Sequence, residues 1–214
     1  MRIIFVRHGH PDYAADSLTE TGRAQAAAAA VRLGDEGIEA IYASPMGRAK
    51  ETAAHTAESL GLPVTVLPFM RELSWGNPVF NPWHRAREMA QDGVDLLRDD
   101  FTAAPDFPGR AVLDQAAAAA RGFDGWLAEL GYRREGNGYR CTAPAPGTIA
   151  VFSHGGSGSA VIAHLLGMPF LAFCHRVPQN FTAVTTITLK GEVGERILPR
   201  VEVMNDFRHI RGIG

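Results

Sequence analysis

The chain has 214 residues, 46% of them hydrophobic and 21% charged, and its formal net charge at pH 7 is −2, which is typical of one globular domain with a substantial core. The weak net charge argues against nucleic acid as a partner, and the apolar runs are too short to span a membrane. Because Arg7 interrupts the first apolar stretch and only two cysteines occur, neither a signal peptide nor a disulfide framework is predicted, and the expected location is cytoplasmic.

The first third of the chain alternates short apolar runs with helical segments. The predicted strands are Ile3–Val6, Ile38–Ala43 and Val64–Leu67. Thr19 can cap a helix that extends to about Arg32, and Ser44-Pro45 is predicted as the N-cap and first residue of a helix ending near Leu60. This alternation indicates an α/β fold, in which a mostly parallel central sheet carries helices on both faces.

The stretch from about Leu73 to Pro146 breaks this alternation and is interpreted as a lid insertion, at about 73–146, over the carboxyl edge of the sheet. Two helices are predicted in it, over His84–Asp99 and Leu113–Leu130, and the polar segment Gly131–Pro146 is predicted to be an exposed loop. The aromatic residues of the lid that would suit a substrate with an apolar body are Trp75, Phe80 and Trp83. The whole chain, residues 1–214, is expected to form one domain.

The chain returns to the sheet at Thr148, where a second strand-end histidine appears. The apolar run Thr148–Ser153 ends in His154-Gly155-Gly156, as the first strand ends in Arg7-His8-Gly9. Because ligands bind beyond the carboxyl ends of strands in open α/β sheets, the two histidines are predicted to meet at a binding site. The remaining predicted elements are a helix over Ser157–Leu166 and two β-rich segments, Thr182–Leu189 and Ile197–Met204.

Four short motifs carry groups suited to phosphate chemistry. Arg7-His8-Gly9 places a nucleophilic imidazole beside a guanidinium, which can grip an anion and disfavours protonation of the histidine. The segment from Ser44 to Arg48 lies at a predicted helix N-terminus, which favours anions. Glu72 can protonate a leaving alcohol, and His154-Gly155-Gly156 offers an imidazole and backbone N–H groups to phosphate oxygens. Taken singly, each motif also has a purely structural explanation, such as a surface ion pair or a tight turn.

Taken together, these motifs resemble the histidine phosphatase superfamily, the phosphoglycerate-mutase-like proteins. The further segments that match this family are Leu18-Thr19-x-x-Gly22-x-x-Gln25-Ala26, Ser44-Pro45-x-x-Arg48-Ala49, Arg71-Glu72-Leu73 and Asn205-Asp206-x-x-His209. The resemblance therefore extends over nearly the whole chain.

The resemblance implies a role for each matching residue. His8 would become a phosphohistidine, Glu72 would be the proton donor, and Arg7, Arg48 and His154 would form the phosphate pocket. No metal and no cofactor are implied, because cationic side chains stabilise the charge of the reacting phosphoryl group.

Two residues depart from the family pattern. His10 stands where Glu or Gln usually follows the first motif, and Ala14 replaces a common phosphate-contacting Asn. His10, Tyr13 or the backbone of Gly156 is expected to supply the missing donor.

The favoured function is a metal-independent, histidine acid-type phosphatase that hydrolyses a small phosphorylated metabolite, because the chain is shorter than typical mutases and lacks the Asn. A phosphoglycerate-mutase-type phosphotransferase is the alternative within the family. A metal-dependent hydrolase built on His8-x-His10, completed by Asp12 or Asp16, would leave the arginines without a role. A non-catalytic phospho-ligand binder would have no use for Glu72. A homodimer is compatible with the sequence.

Overall fold

In a computed structural model of the chain, which describes residues 1–76, 87–89, 91–93, 111–144 and 147–213, a six-stranded sheet forms the centre. Its strands, numbered in chain order, are β1 (Arg2–Arg7), β4 (Ile38–Ala43), β5 (Val64–Val66), β8 (Thr148–Ser153), β9 (Val184–Thr188) and β11 (Arg200–Asp206). The order is β11–β9–β1–β8–β4–β5, and within this sheet β9 alone runs against its neighbours. The predicted mostly parallel α/β sheet is confirmed.

Helices and two small sheets surround this centre. The helices are α1 (Glu20–Leu33), α2 (Gly47–Leu60), α3 (Ala111–Glu129), α4 (Gly155–Leu166) and α5 (Phe170–Arg176), with 3₁₀ turns at Pro68–Met70 and Arg208–Ile210. One small sheet pairs β2 (Pro11–Asp12) with β3 (Ser17–Leu18), and the other contains β6 (Tyr132–Glu135), β7 (Gly138–Cys141) and β10 (Arg196–Ile197).

The central sheet is buried on both faces, which explains why its strands are continuous apolar runs in the sequence. Ile3 and Phe5 of β1 belong to a cluster that α3 and α4 cover, and Ile4 and Val6 belong to a second cluster that α1 and α2 cover. The open edge of the sheet, at the carboxyl ends of its parallel strands, is left for a site.

The second half of the predicted lid belongs to the core instead. Helix α3 confirms the helix predicted over Leu113–Leu130, but its Phe123 is fully buried and its Trp126 is 8% exposed in the cluster with Phe5. These aromatic side chains bind α3 to a face of the sheet. Phe80, Trp83 and most of the helix predicted over His84–Asp99 lie outside the described residues.

The exposed loop predicted over Gly131–Pro146 is wrong, because β6 and β7 form a hairpin there. Tyr132, Tyr139 and Cys141 of this hairpin are almost completely buried. The Tyr139 hydroxyl donates to Asp124 of α3 at 2.6 Å, which ties the hairpin to the helix. The polar residues between the two tyrosines make this hairpin look like an exposed loop in the sequence.

The described ranges contain no single helix that is long and apolar enough to cross a membrane. Helices α4 and α5 pass that test only as a pair, with a bend of 112° between them, and most of their residues are buried in the fold.

Candidate active site

The carboxyl ends of three adjacent parallel strands bring the predicted motifs together. Arg7 pairs with Ser153 in the register of β1 and β8, so His8 and His154 each follow the last paired residue. Ser44 follows β4, and its N–H donates to the Phe152 carbonyl at 2.9 Å. The two imidazole rings have their centroids 5.1 Å apart. The predicted meeting of the two histidines at the sheet edge is confirmed.

His8 is held as a neutral imidazole with its nucleophilic nitrogen defined. Nδ1 lies 2.7 Å from the Gly9 carbonyl oxygen and therefore carries the proton, while Nε2 accepts the Nε–H of Arg48 at 3.3 Å. Burial, followed by the charges of Arg7 and Arg48, lowers the pKa of His8 to about 3. A neutral His8 is predicted from the sequence because of the neighbouring arginine charge. In the structure, burial is the larger cause.

His154 presents a second neutral ring, with one nitrogen left without a partner. Its Nε2 lies 2.7 Å from the Ser44 hydroxyl oxygen, which also accepts the N–H of Met46 at 3.3 Å. The Ser44 hydroxyl can thus donate to Nε2 and leave the proton of His154 on Nδ1, a buried atom to which no described residue hydrogen-bonds. Burial, and then the neighbouring His8 and Arg48, lowers the pKa of His154 to about 2.

Two arginines border the histidines and are held in different ways. Arg7 donates to the Gln179 carbonyl oxygen and lies 4.3 Å above the Phe181 ring, while its buried Nε has no partner in the described part of the chain. The Arg48 side chain is 5% exposed and donates from Nη1 to Asp16 Oδ1 at 2.6 Å. Both guanidinium groups therefore lie beside His8 as charged hydrogen-bond donors.

Asp16 determines where α2 begins. The helix starts at Gly47, whose N–H donates to Asp16 Oδ2 at 2.7 Å. A Cβ at position 47 would lie 2.1 Å from the Asp16 carbonyl oxygen, so only glycine permits this approach. The predicted N-cap role of Ser44 and the helical position of Pro45 are therefore wrong, because the cap comes from the loop before α1 and the Ser44 hydroxyl bonds to His154.

Glu72 occupies the N-terminus of α4. Its carboxylate accepts the N–H groups of Gly156 at 3.2 Å and Ser157 at 2.8 Å, as well as that of Leu73 at 2.9 Å. A Cβ at position 156 would lie 2.6 Å from Glu72 Oε1. The glycine therefore makes room for Glu72, which corrects the prediction that the Gly156 N–H faces a phosphate. Gly155 is buried and begins α4, two residues before the predicted start.

The rim of the site contains His10 and Tyr13, the two predicted substitutes for the missing donor. His10 is exposed, with Nδ1 3.0 Å from the Thr19 hydroxyl. Tyr13 is 68% exposed, and its ring centroid lies 5.4 Å from the Arg48 guanidinium carbon. Their role toward a substrate stays a prediction.

Phe181 is a site residue that the sequence analysis missed. Its ring lies against Arg7. The ring centroid of Phe181 is 6.0 Å from the ring centroid of His8 and 5.3 Å from that of His10. Because β9 runs antiparallel to β1, the residues that precede β9 arrive at the carboxyl end of β1. An isolated phenylalanine before a strand gives no signal of this in the sequence.

A family model described as histidine phosphatase superfamily (branch 1) matches residues 3–198 of this chain. The chain belongs to this superfamily. Glucosyl-3-phosphoglycerate phosphatase of Mycobacterium tuberculosis is 32% identical over 182 residues, which cover 78% of this chain and 76% of that protein. A probable phosphoglycerate mutase of Yersinia pestis is 29% identical over 180 residues, covering 79% and 76%.

Solved structures agree with this family membership. A mycobacterial glucosyl-3-phosphoglycerate phosphatase complexed with VO3 is similar with a TM-score of 0.67 and 27% identity, covering 95% of this chain and 98% of that one. A mutant phosphoserine phosphatase of Entamoeba histolytica, in complex with phosphoserine, has a TM-score of 0.64 at 20% identity and 98% coverage of both chains, and shows the shared fold.

His209, in the last segment that matches the histidine phosphatase pattern, braces the site from behind. Its Nε2 lies 3.0 Å from the Thr182 hydroxyl, and the Thr182 N–H donates to the His8 carbonyl at 3.4 Å. In the part of the chain that the structure describes, no three His, Cys, Asp or Glu side chains are grouped to hold a metal ion. The geometry thus gives the His8-x-His10 metal site no support.

The two buried histidines predict that this histidine phosphatase loses stability in acid. The unfolded chain binds protons at these residues below about pH 6.5, whereas the folded chain does not until about pH 3 for His8 and about 2 for His154. Stability therefore falls as the pH decreases from 6.5, by about 2 kcal/mol for each histidine between pH 7.5 and 5.

Urea unfolding of the parent and of His154→Gln at pH 7.5, 6 and 5 measures this effect. Between pH 7.5 and 5, the free energy of unfolding of the variant should fall by about 2 kcal/mol less than that of the parent, because glutamine does not titrate. Equal losses in the two proteins would contradict the assignment.

Proposed function

We propose that this histidine phosphatase hydrolyses phosphomonoesters through a phosphohistidine formed on His8. The observation that carries the proposal is a set of unsatisfied polar atoms around the nucleophile. Arg7 Nε and His154 Nδ1 are buried and find no partner among the described residues, beside a neutral His8 whose Nε2 bears the lone pair. Buried donors are rarely left unpaired, and phosphoryl oxygens are the acceptors that would satisfy both.

The first step transfers the phosphoryl group to His8. Nε2 attacks phosphorus, the bond from phosphorus to the alcohol oxygen breaks, and that oxygen takes a proton. In the free enzyme, Arg48 Nε donates a hydrogen bond to His8 Nε2, and in the reaction it donates to a phosphoryl oxygen instead. The Gly9 carbonyl, which accepts the Nδ1–H, stabilises the positive charge that the ring acquires on phosphorylation.

Glu72 is the proposed proton donor and, in the second step, the proposed base. The N–H groups of Gly156 and Ser157 hold its carboxylate at the N-terminus of α4, at the same sheet edge as His154. A protonated Glu72 gives its proton to the departing alcohol, and the resulting carboxylate takes a proton from the water that attacks phosphohistidine. Phosphate leaves, and His8 is restored.

Metal independence is part of the proposal, and the charge that the side chains themselves supply supports it. Arg7 and Arg48 place two positive charges beside His8, which match a phosphate dianion. The neutral His154 adds a donor without adding charge. The acid-type reaction of the family thus needs no divalent ion to stabilise the transferred group.

A small phosphorylated metabolite is the proposed substrate, and hydrolysis is favoured over transfer to a second phosphorylated molecule. The phosphatases among the relatives support hydrolysis, whereas the relative named as a probable mutase keeps transfer as the alternative. A mutase needs cations for a second anionic group. The described site instead places the carboxylates of Asp16 and Glu72 next to the two arginines.

Two measurements test this function. Hydrolysis of p-nitrophenyl phosphate should proceed at the same rate with and without millimolar EDTA. Protein quenched in base during turnover should carry phosphate on His8 that acid removes, and more of it in Glu72→Gln, where the attacking water lacks its base. A rate that EDTA abolishes and a divalent metal restores contradicts metal independence. The absence of acid-labile phosphate from both proteins contradicts the intermediate.

A further inference from the structure

We propose that Asp16 selects substrates by charge, favouring phosphomonoesters whose alcohol part is neutral or cationic over those with a second anion. The inference rests on the hydrolysis proposed above and names the substrate class of the same site. Nothing in the family pattern singles out this residue.

Asp16 lies next to the reacting atoms, separated from them by a single side chain. Its Oδ1 accepts Nη1 of Arg48 at 2.6 Å, and Nε of the same guanidinium donates to His8 Nε2 at 3.3 Å. Both contacts belong to one planar group, so one guanidinium and its two hydrogen bonds separate the carboxylate from the nucleophile. The side chain of Arg48 is 5% exposed and that of Asp16 is 41% exposed. The carboxylate is therefore the solvent-accessible member of this pair.

The carboxylate is fixed in this position. Asp16 has a φ of 48°, in the left-handed region, and its Oδ2 accepts the N–H of Gly47. Burial raises the pKa of Asp16, but the Gly47 N–H and the Arg48 guanidinium together lower it by more. The pKa is therefore below its ordinary value, and the group is charged at neutral pH. Asp12, in the same loop, instead accepts the N–H groups of Ala14 and Ala15 and stabilises the turn.

The balance of charge around His8 leaves little room for a second anion. Among the described residues, Arg7 and Arg48 are the cations beside the nucleophile, and Asp16 is hydrogen-bonded to one of them. Arg71, which is exposed, is a further described cation close enough to act on His154. A phosphate dianion uses the charge of Arg7 and Arg48. A carboxylate on the alcohol part would then be repelled by Asp16, and the described residues provide no third cation beside the nucleophile to compensate.

A cationic alcohol part finds the opposite situation. Tyr13 presents a ring that is 68% exposed beside Arg48, on the loop that carries Asp16. A carboxylate next to an aromatic face is the combination that binds ammonium groups in proteins. Asp16 and Tyr13 therefore favour an ammonium group at the position where they disfavour a carboxylate.

Three two-carbon phosphomonoesters test the proposal, because they differ mainly in charge at the far carbon. They are ethyl phosphate, phosphoethanolamine and phosphoglycolate. We would measure kcat/KM for each with the parent, Asp16→Asn, Asp16→Glu and the control Asp12→Asn, by release of inorganic phosphate. Comparing each ester between proteins cancels its intrinsic reactivity. For an ester that turns over too slowly, its Ki against p-nitrophenyl phosphate gives the same comparison.

We expect Asp16→Asn to raise the kcat/KM for phosphoglycolate, relative to that for ethyl phosphate, by about tenfold. The same variant should lower the kcat/KM for phosphoethanolamine, relative to that for ethyl phosphate, by a similar factor. This is the size of a Coulomb interaction between unit charges about 12 Å apart near a protein surface. Asp16→Glu keeps the charge and should keep the parent's ratios, whatever its absolute rate. Asp12→Asn removes a charge from the same loop away from Arg48 and should also keep them.

Two results would overturn the proposal. If Asp16→Asn changes all three esters by one factor, Asp16 only positions Arg48. If Asp12→Asn shifts the ratios as far as Asp16→Asn does, the effect belongs to the loop as a whole. Failure of the underlying function looks different, since the parent would then not hydrolyse p-nitrophenyl phosphate or would do so without His8.

Discussion

Replacing His8 by glutamine will lower kcat/KM toward p-nitrophenyl phosphate by at least about four orders of magnitude. Loss of the attacking group removes the covalent route altogether, and the remaining donors stabilise only the slow attack of water. The protein will remain folded, because glutamine is neutral like the imidazole and can still accept from Arg48. Steady-state hydrolysis with a continuous absorbance assay measures the loss.

A matched control is available in His55, which lies in α2 two turns after Arg48. The same change, His55→Gln, should leave kcat/KM within about twofold of the parent. Circular dichroism and thermal unfolding of both variants establish that the folds are comparable. Parent-like turnover by a folded His8→Gln protein would refute the phosphohistidine route.

Replacing Arg48 by methionine will lower kcat/KM by about three orders of magnitude. Arg48 contacts the nucleophilic nitrogen through its buried guanidinium, so its loss removes both a donor to the phosphoryl oxygens and part of the compensation of their charge. Arg48→Lys should recover about tenfold of this loss, because an ammonium group keeps the charge but lacks the planar fork. The same hydrolysis assay measures both variants.

Arg23 supplies the control for this substitution. Arg23 lies in α1, and its side chain is 50% exposed and pairs with Glu51 of α2 at 3.3 Å. Arg23→Met should change kcat/KM by less than about twofold, since exposed ion pairs contribute little. An Arg48→Met protein within tenfold of the parent would show that other groups bind the phosphoryl oxygens.

Parallel strands and strand-end residues could be predicted because they depend on local patterns. A strand buried on both faces is a continuous apolar run, and the residue that follows it lies at the sheet edge. This pattern predicts that His8 and His154 lie side by side. The helix predicted over Leu113–Leu130 is confirmed by α3.

The contacts that surround those residues could not be predicted in this way. Asp16 caps a helix that begins 31 residues later, and Glu72 binds the N-terminus of α4 across 84 residues. A helix N-terminus shows that some acceptor is present but not which one. The sequence therefore identified both termini as anion sites, and the structure shows that the protein's own carboxylates occupy them.

The order of strands in the central sheet has a consequence for how this enzyme is synthesised. Strand β1 lies in the middle of the sheet, between β8 and β9. Its Arg2 pairs with Thr148 of β8 and with Thr188 of β9. A growing chain therefore carries its nucleophile on an apolar strand that stays unpaired until the segments of β8 and β9 have left the ribosome. Folding must wait for these distant segments, so the emerging chain is most vulnerable to aggregation during synthesis and active only after it.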